Sequence, residues 1–240
     1  MSTAAVIGVG PGLGMSIAHR VGREGYTVAL VSRSDTRHAG YVSSLAEEGI
    51  AAEAFTADVR DRATLLSTLD AIEARLGPID LLYYGPGAVD LDAQRPGPIT
   101  ATTAEEVRDL VSATVYPAID VVNRVLPGML DRGSGGLLIA GGLSAVQPMP
   151  FLGALAVAAA ALHNYVVTLN AGLAGTGVHA GSLVIGGLVE RGDIHQLVKA
   201  DPDRFGGVPP RTLDPDDIAE GAWELYRTRA RAEAVFSVFG

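Results

Sequence analysis

A chain of 240 residues that is 48% apolar has enough hydrophobic material for a sizeable core, and one α/β domain over 1–240 is the simplest account of that length. Its net charge of −9, from 27 acidic and 18 basic side chains, argues against a nucleic-acid partner, because phosphate backbones need a basic face. It has no cysteine, which excludes disulfides, zinc–thiolate sites and thiol nucleophiles, and no His/Asp/Glu cluster has metal-ligand spacing, so no metal is expected. No basic segment precedes the first apolar run. The longest strongly apolar stretch, Phe151 to Leu162, is shorter than the ~20 residues a membrane-spanning helix takes, so a cytoplasmic protein without a membrane partner is expected.

In chain order, the first element is an apolar run, Ala4 to Ile7, that reads as a buried strand. Gly8-Val9-Gly10-Pro11-Gly12-Leu13-Gly14 follows, and Met15 to Val21 then has the apolar spacing of a helix lying on a sheet. Strand, glycine turn and helix open a dinucleotide-binding βαβ unit. The glycines allow a tight turn and a close pyrophosphate, and the helix N-terminus offers free N–H groups to that anion. The spacing is G-x-x-x-G-x-G on Gly8, Gly12 and Gly14; G-x-G-x-x-G would need glycine at Leu13 or Met15. This pattern resembles the short-chain dehydrogenase/reductase family. The resemblance implies that Gly8, Gly10, Gly12, Leu13 and Gly14 line a cofactor.

Thr27 to Val31 is a second buried strand, ending at Ser32-Arg33-Ser34. An acid at this point would bind the ribose hydroxyls of NAD, whereas Arg33 suits the 2′-phosphate of NADP. Family members with Ser-Arg here usually take NADP(H). Arg37 and His38 either assist or are surface residues. Tyr41 to Glu48 reads as a short helix. Ala52 to Ala57 alternates like a strand and ends at Asp58-Val59. The family places an Asp and an aliphatic residue here against the adenine, while Asp58 also suits the N-cap of the next helix. Arg62 to Leu76 is an amphipathic helix closed by Gly77-Pro78. Ile79 to Tyr84 is the fourth strand. Its exit, Tyr84-Gly85-Pro86-Gly87, aligns with the family's Asn-Asn-Ala-Gly and keeps only the last glycine; by resemblance Gly85 and Gly87 border the cofactor.

Residues 88–99 are rich in Pro and Gly and are expected over the cleft. Thr103-Ala104-Glu105-Glu106 has capping chemistry at the start of a helix that runs to about Leu126, where Leu126-Pro127-Gly128-Met129 matches a recurrent family signature. Gly136 to Ala140 is the fifth strand. Phe151 to Ala174 is a long Ala-rich helix inside a stretch, Gly133 to Val189, that holds no Asp, Glu, Lys or Arg. Apolar on most sides, it should lie against the sheet and a partner subunit. His179 to Ile185 is the sixth strand, and Gly186-Gly187 stands where the family commonly has Pro-Gly. Residues 190–211 look like a mobile substrate loop with one short helix. Asp214-Pro215 starts a late helix, with Asp214 as N-cap, and Ala234 to Phe239 is the closing strand. This alternation, without internal repeats, predicts a single-domain Rossmann fold, a doubly wound parallel sheet of about seven strands.

Hydride arriving at a carbonyl builds negative charge on oxygen. The family answers with a Tyr-x-x-x-Lys pair one helical turn apart, a serine and an asparagine. Alignment on Ala159-Ala160-Ala161-Leu162 and on Leu126 to Met129 places Ala159 at the lysine position, Leu155 at the tyrosine, Gly142 at the serine and Thr114 at the asparagine. All four are replaced. No shift restores them: Tyr165 is followed four residues on by Leu169, and Lys199 is the chain's only lysine. The glycine loop resembles that of an atypical branch reading Gly-Val-Gly-Pro-Gly-Leu-Gly, in which the catalytic tyrosine is often lost. Tyr84, at the C-terminal end of the fourth strand, is a replacement acid, a substrate-stacking group or a packing aromatic. Ser144, two residues past the vacant serine position, is a catalytic substitute or a turn residue. Gln147 could hydrogen-bond a substrate; His195 and Lys199, a turn apart on the substrate loop, either reach a substrate or form a solvated pair. His163 continues the Leu155–Ala159 face and reads as a site or a helix-interface histidine.

The resemblance therefore implies an NADP(H)-binding oxidoreductase with a degenerate tetrad. Its small organic substrate would need little proton assistance, as an activated C=C or C=N does. The alternatives are a non-redox cyclase or isomerase reusing the cleft, with the cofactor absent or merely structural, and a silent partner of an active homologue. A homodimer or homotetramer through the helices at 103–126 and 151–174 fits all three.

Overall fold

A computed structural model describes residues 2–87, 97–201 and 211–239. The chain builds β1 (Thr3–Ile7), α1 (Leu13–Gly22), β2 (Thr27–Ser32), α2 (His38–Glu47), β3 (Ala52–Thr56), α3 (Arg62–Leu76) and β4 (Ile79–Tyr84). It continues through α4 (Ala104–Arg132), β5 (Gly135–Gly142), α5 (Gly153–Gly172) and β6 (Val178–Gly186). Two-residue strands β7 (Leu188–Val189) and β8 (Thr212–Leu213) flank α6 (Asp193–Ala200), and α7 (Pro215–Thr228) leads into β9 (Glu233–Ser237). Seven strands form one parallel sheet in the order β3-β2-β1-β4-β5-β6-β9; β7 and β8 pair apart from it. The order reverses between β1 and β4, which is where an open α/β sheet leaves a crevice at the C-terminal ends of its strands.

Alternation along the strands fills both faces. Ile7, Val31, Leu82 and Tyr84 pack with Leu69, Val121 and Val166 of α3, α4 and α5. Val6, Leu30, Leu81 and Tyr83 pack with Ile17, Leu45 and Leu225 of α1, α2 and α7. Both faces are dry, so the strands read as continuous apolar runs, as parallel strands do.

The caps follow from local chemistry. Thr103 and Glu106 close a capping box on α4, and Asp214 accepts from Asp216 N–H with Pro215 at the first helical position of α7. The N-cap of α3 is Asp61, which accepts from Thr64 N–H at 3.1 Å, so Asp58 does not hold that position. α4 runs to Arg132 rather than stopping near Leu126. Pro117 and Pro127 each remove one N–H without ending it, because Val121, Val125 and Met129 keep its apolar face in the core.

The expected limit on apolar length needs correction. Helix α5 and the turn before it, Pro150–Gly172, are long and apolar enough to cross a membrane by length and composition. His163 and Asn164 end the apolar run in the sequence, but Val166, Val167 and Leu169 extend it beyond them. In the fold this helix packs against α4 and against β5 and β6. The 88–96 part of the expected loop over the cleft and the 202–210 part of the expected substrate loop lie outside the described residues.

His179 on β6 is buried opposite Gly136, and its Nε2 has no hydrogen-bond partner among the described residues. Burial, with help from the Arg229 cation, pushes its pKa below the usual histidine range. A histidine with a depressed folded pKa contributes stability above its unfolded value near 6.5 and loses it as pH falls toward the folded value. Thermal melts from pH 7 to pH 5 should therefore show a steeper loss for the native chain than for His179→Gln. Equal slopes would contradict this assignment.

Candidate functional site

The C-terminal ends of β1, β2 and β4 meet at one point. Gly8 and Val9 both donate their N–H to Val31 O, at 2.9 and 3.0 Å, and Gly85 N–H donates to Ile7 O at 2.9 Å. Gly8 has φ 88°, and a Cβ there would meet the Gly85-Pro86 backbone at 2.4–2.7 Å. A Cβ on Gly12 would lie 2.9 Å from both Glu190 O and Gly192 N, and one on Gly14 would lie 2.7 Å from Val9 Cα. A Cβ on Gly10, by contrast, would meet no described residue within 4 Å. Three of the four loop glycines are thus required by the packing of the chain on itself, and Gly10 is the one that keeps an open approach. The N–H groups of Met15 and Ser16 return to Gly10 O and Gly12 O. Those of Leu13 and Gly14, the first residues of α1, precede any intrahelical acceptor, which is the arrangement that receives anions.

Beside this loop, past the end of β2, lies a recess lined by Ser32, Arg33, Ser34, Arg37, Tyr41 and Asp193. Ser32 Oγ donates to Ser34 O at 2.9 Å and sits 2.8 Å from His38 Nε2. His38 is buried at the start of α2, so it orients Ser32 and is not a surface residue. The two cations lining this recess can hold a phosphate monoester through charge-assisted hydrogen bonds, while the serine hydroxyls are engaged within the wall, Ser32 as above and Ser34 Oγ at 2.7 Å from Thr36 Oγ1. Asp58 follows β3. It accepts from Arg60 N–H at 2.9 Å and pairs with the Arg60 guanidinium at 2.7 Å, contacts that hold its carboxyl below the usual carboxylate range. Val59 packs, partly buried, against the core. Gly87 is exposed, and a Cβ there would meet no described residue within 4 Å, whereas one on Gly85 would run into the Tyr83 ring.

The positions aligned with the family's catalytic groups offer little polar chemistry. Thr114 Oγ1 donates to Leu110 O at 2.7 Å, one turn back along α4, and is satisfied there. Leu155 and Ala159 are half-buried apolar residues of α5. At Gly142, a Cβ would lie 3.6 Å from Ser144 Oγ. The turn at Leu143–Ala145 thus folds the Ser144 hydroxyl back beside the position aligned with the family's serine, and that hydroxyl makes no hydrogen bond to a described residue. Gln147 is exposed nearby.

Tyr84 is only 2% exposed, and its hydroxyl has no partner among the described residues. Burial pushes this phenol well above its usual range, as it does Tyr83 on the opposite face. A phenol closed into the α4–α5 side of the core is a poor proton donor, so the structure favours packing for Tyr84 over acid catalysis. His163 Nε2 lies 2.6 Å from Glu233 Oε2 on β9, which ties it to the sheet edge. His195 and Lys199 both lie on α6; His195 Nδ1 is buried without a partner among the described residues, and Lys199 is exposed.

Sequence reasoning did not single out Glu190, Arg191 and Asp193, which cover the loop and reach the recess. The one signal in the sequence was Gly192, a residue small enough for backbone to lie on backbone.

Stability separates the loop glycines. Gly8→Ala should cost about 2–4 kcal/mol, from positive φ and overpacking together, whereas Gly10→Ala should change stability by less than about 1 kcal/mol. Denaturant unfolding of the two variants checks this, and equal losses would contradict it.

Residues 2–199 match the family model for short chain dehydrogenases. The 2,3-dihydro-2,3-dihydroxybenzoate dehydrogenase of Bacillus subtilis is 29% identical over 238 residues, covering 95% of this chain and 89% of its own. Among solved structures, a variant of actinorhodin polyketide ketoreductase with NADPH superimposes with a TM-score of 0.83 at 23% identity, covering 99% of this chain and 95% of that one. A gluconate 5-dehydrogenase from Burkholderia cenocepacia J2315 in complex with NADP and tartrate gives 0.81 at 21% identity, covering 98% and 93%. With the glycine loop, the reversed strand order and a family match over most of its length, the chain belongs to the short-chain dehydrogenase family.

Proposed function

We propose that this protein is an NADP(H)-dependent oxidoreductase that acts on a small organic substrate needing little proton assistance. The observation that carries this is the recess at the end of β2, where Arg33 and Arg37 stand with Ser32 and Ser34 beside an open Gly10. The solved relatives crystallised with NADPH or NADP support the same cofactor class. Arg33 and Arg37 would hold the 2′-phosphate, and the α1 N-terminus with Gly10 would receive the pyrophosphate. The cofactor supplies hydride exchange at its nicotinamide.

The rest falls to this chain's own groups. Ser144 Oγ would donate a hydrogen bond to an acceptor atom on the substrate as charge builds there, a role the family gives to the residue at Gly142; its nearness to that position, 3.6 Å from a Cβ built on Gly142, supports this reading. No tyrosine–lysine pair stands at Leu155 and Ala159 to deliver a proton. Reduction of an unactivated ketone lacks its acid, whereas an iminium already carries positive charge and an activated alkene disperses the negative charge it gains. The empty tetrad also favours a second reading, a cyclase or isomerase in the same cleft, with binding and orientation supplying the rate. Under either reading the apolar surface of α4 and α5, with Tyr116 and Val157 exposed, is proposed to be covered by a second copy in a homodimer or homotetramer.

Calorimetric titration with NADPH and NADH tests the cofactor assignment. NADPH should bind more tightly than NADH, and Arg33→Ala should weaken NADPH at least about tenfold while leaving NADH within about twofold. Absence of binding by both nucleotides would overturn it. With cofactor binding in hand, Ser144→Ala should lower turnover of activated alkenes or imines by about 10- to 100-fold without changing the affinity for NADPH. An unchanged rate would remove Ser144 from the site.

A further inference from the structure

The segment after β6 does more than border the recess; it lies across the cofactor loop and ends inside the recess. Its first part is anchored to β8. Leu188 N–H donates to Arg211 O at 3.2 Å, Glu190 N–H donates to Leu213 O at 3.0 Å, and the Glu190 carboxylate accepts from Thr212 Oγ1 at 2.6 Å. Arg191 has φ 64°, a conformation that L side chains rarely adopt. From it the guanidinium reaches Ser16 Oγ at 3.3 Å, Asp214 at 3.2 Å and Asp216 at 2.8 Å, near the starts of α1 and α7. So held, the backbone of 190–192 comes down on Gly12. One residue further, Asp193 opens α6, and its two carboxylate oxygens lie 2.8 and 2.9 Å from Nη1 of Arg37, across 156 residues of sequence.

A carboxylate on an arginine makes the same charge-assisted hydrogen bonds as a phosphate oxygen. Asp193 already draws on Nη1 of Arg37, and a phosphate monoester brought beside it adds nearly two negative charges at neutral pH, so the two anions repel and compete for the same cation. We propose that Asp193 is a built-in competitor for the cofactor's 2′-phosphate, occupying Arg37 until a 2′-phosphorylated nucleotide displaces it. The proposal rests on the NADP(H) reading above and adds to it a specificity-determining residue. NADP(H) binds in exchange for the Arg37–Asp193 pair, whereas NAD(H), which lacks the 2′-phosphate, leaves that pair intact. Because Asp193 is the first residue of α6, seating a 2′-phosphate also releases the start of that helix from Arg37.

The test uses the full chain, its Asp193→Asn variant and both again with Arg37→Ala. Each is titrated by calorimetry with adenosine 2′,5′-bisphosphate, 5′-AMP, NADPH and NADH. Asp193 is exposed, and the isosteric amide should leave the thermal midpoint unchanged. Asp193→Asn should tighten adenosine 2′,5′-bisphosphate and NADPH about fivefold, the scale of a half-exposed ion pair, and leave 5′-AMP and NADH within about twofold. In the Arg37→Ala background the gain should vanish, as a pairwise coupling must. NADPH binding equal in the native chain and Asp193→Asn would overturn the proposal and leave the cofactor assignment standing. Equal gains for 5′-AMP and NADH would overturn it too, because they would reflect general charge and not the 2′-phosphate. Failure of all four nucleotides to bind either protein would bring down the cofactor assignment, and the proposal with it.

Discussion

The site depends on one close approach of backbone to backbone. Three parallel strands end where Gly8 and Val9 share Val31 O and where Gly85 binds Ile7 O. The Gly85-Pro86 turn passes so near Gly8 that no side chain fits between them. This contact turns the chain off β1 into α1 and sets the helix N-terminus over the sheet edge. It also brings the end of β2, with its arginine, to the same side. The crevice exists because the strand order reverses between β1 and β4, and the glycine contact decides how near the loop and the recess stand to each other. Every other feature of the site, including the strap at 190–193, is placed against that corner.

The two ends of the crevice have diverged in chemistry. At the β2 end, two arginines and the helix N–H groups at the start of α1 offer positive charge and donors to an anion. At the β5–α5 end, the four positions that carry proton chemistry in the family hold Thr114, Gly142, Leu155 and Ala159, and the one hydroxyl among them is tied to its own helix. Ser144 is the polar group folded back beside this gap.

Much of this was legible in the sequence. The order and type of the elements followed from apolar runs, glycine turns and caps, and the capping boundaries at Thr103 and Asp214 fell where side-chain chemistry put them. Arg33 and the glycine spacing pointed to one end of the sheet, and the fold brings them to the same side of the crevice at the β1–β4 reversal. What the sequence hid was long-range. The reason Gly12 is glycine lies in residues 190–192, and nothing local shows that contact. Tyr84 sits at the right end of the right strand for catalysis, but alternation turns its side chain into the core, and only the packing of α4 and α5 shows how completely it is enclosed. His38 could be read from the sequence either as an assisting group or as a surface residue, because its partner, Ser32, lies on the strand before it and only the fold shows their contact. The run of α4 through two prolines reflects tertiary packing overriding local propensity.

The most direct test of the account is a crystal structure of the protein grown with NADP+. The account predicts the adenosine 2′-phosphate between the Arg33 and Arg37 side chains, the pyrophosphate over Gly10 at the start of α1, and the nicotinamide on the Ser144 side of the crevice. A nucleotide bound with its adenosine end elsewhere, or a recess left empty at saturating NADP+, would contradict it.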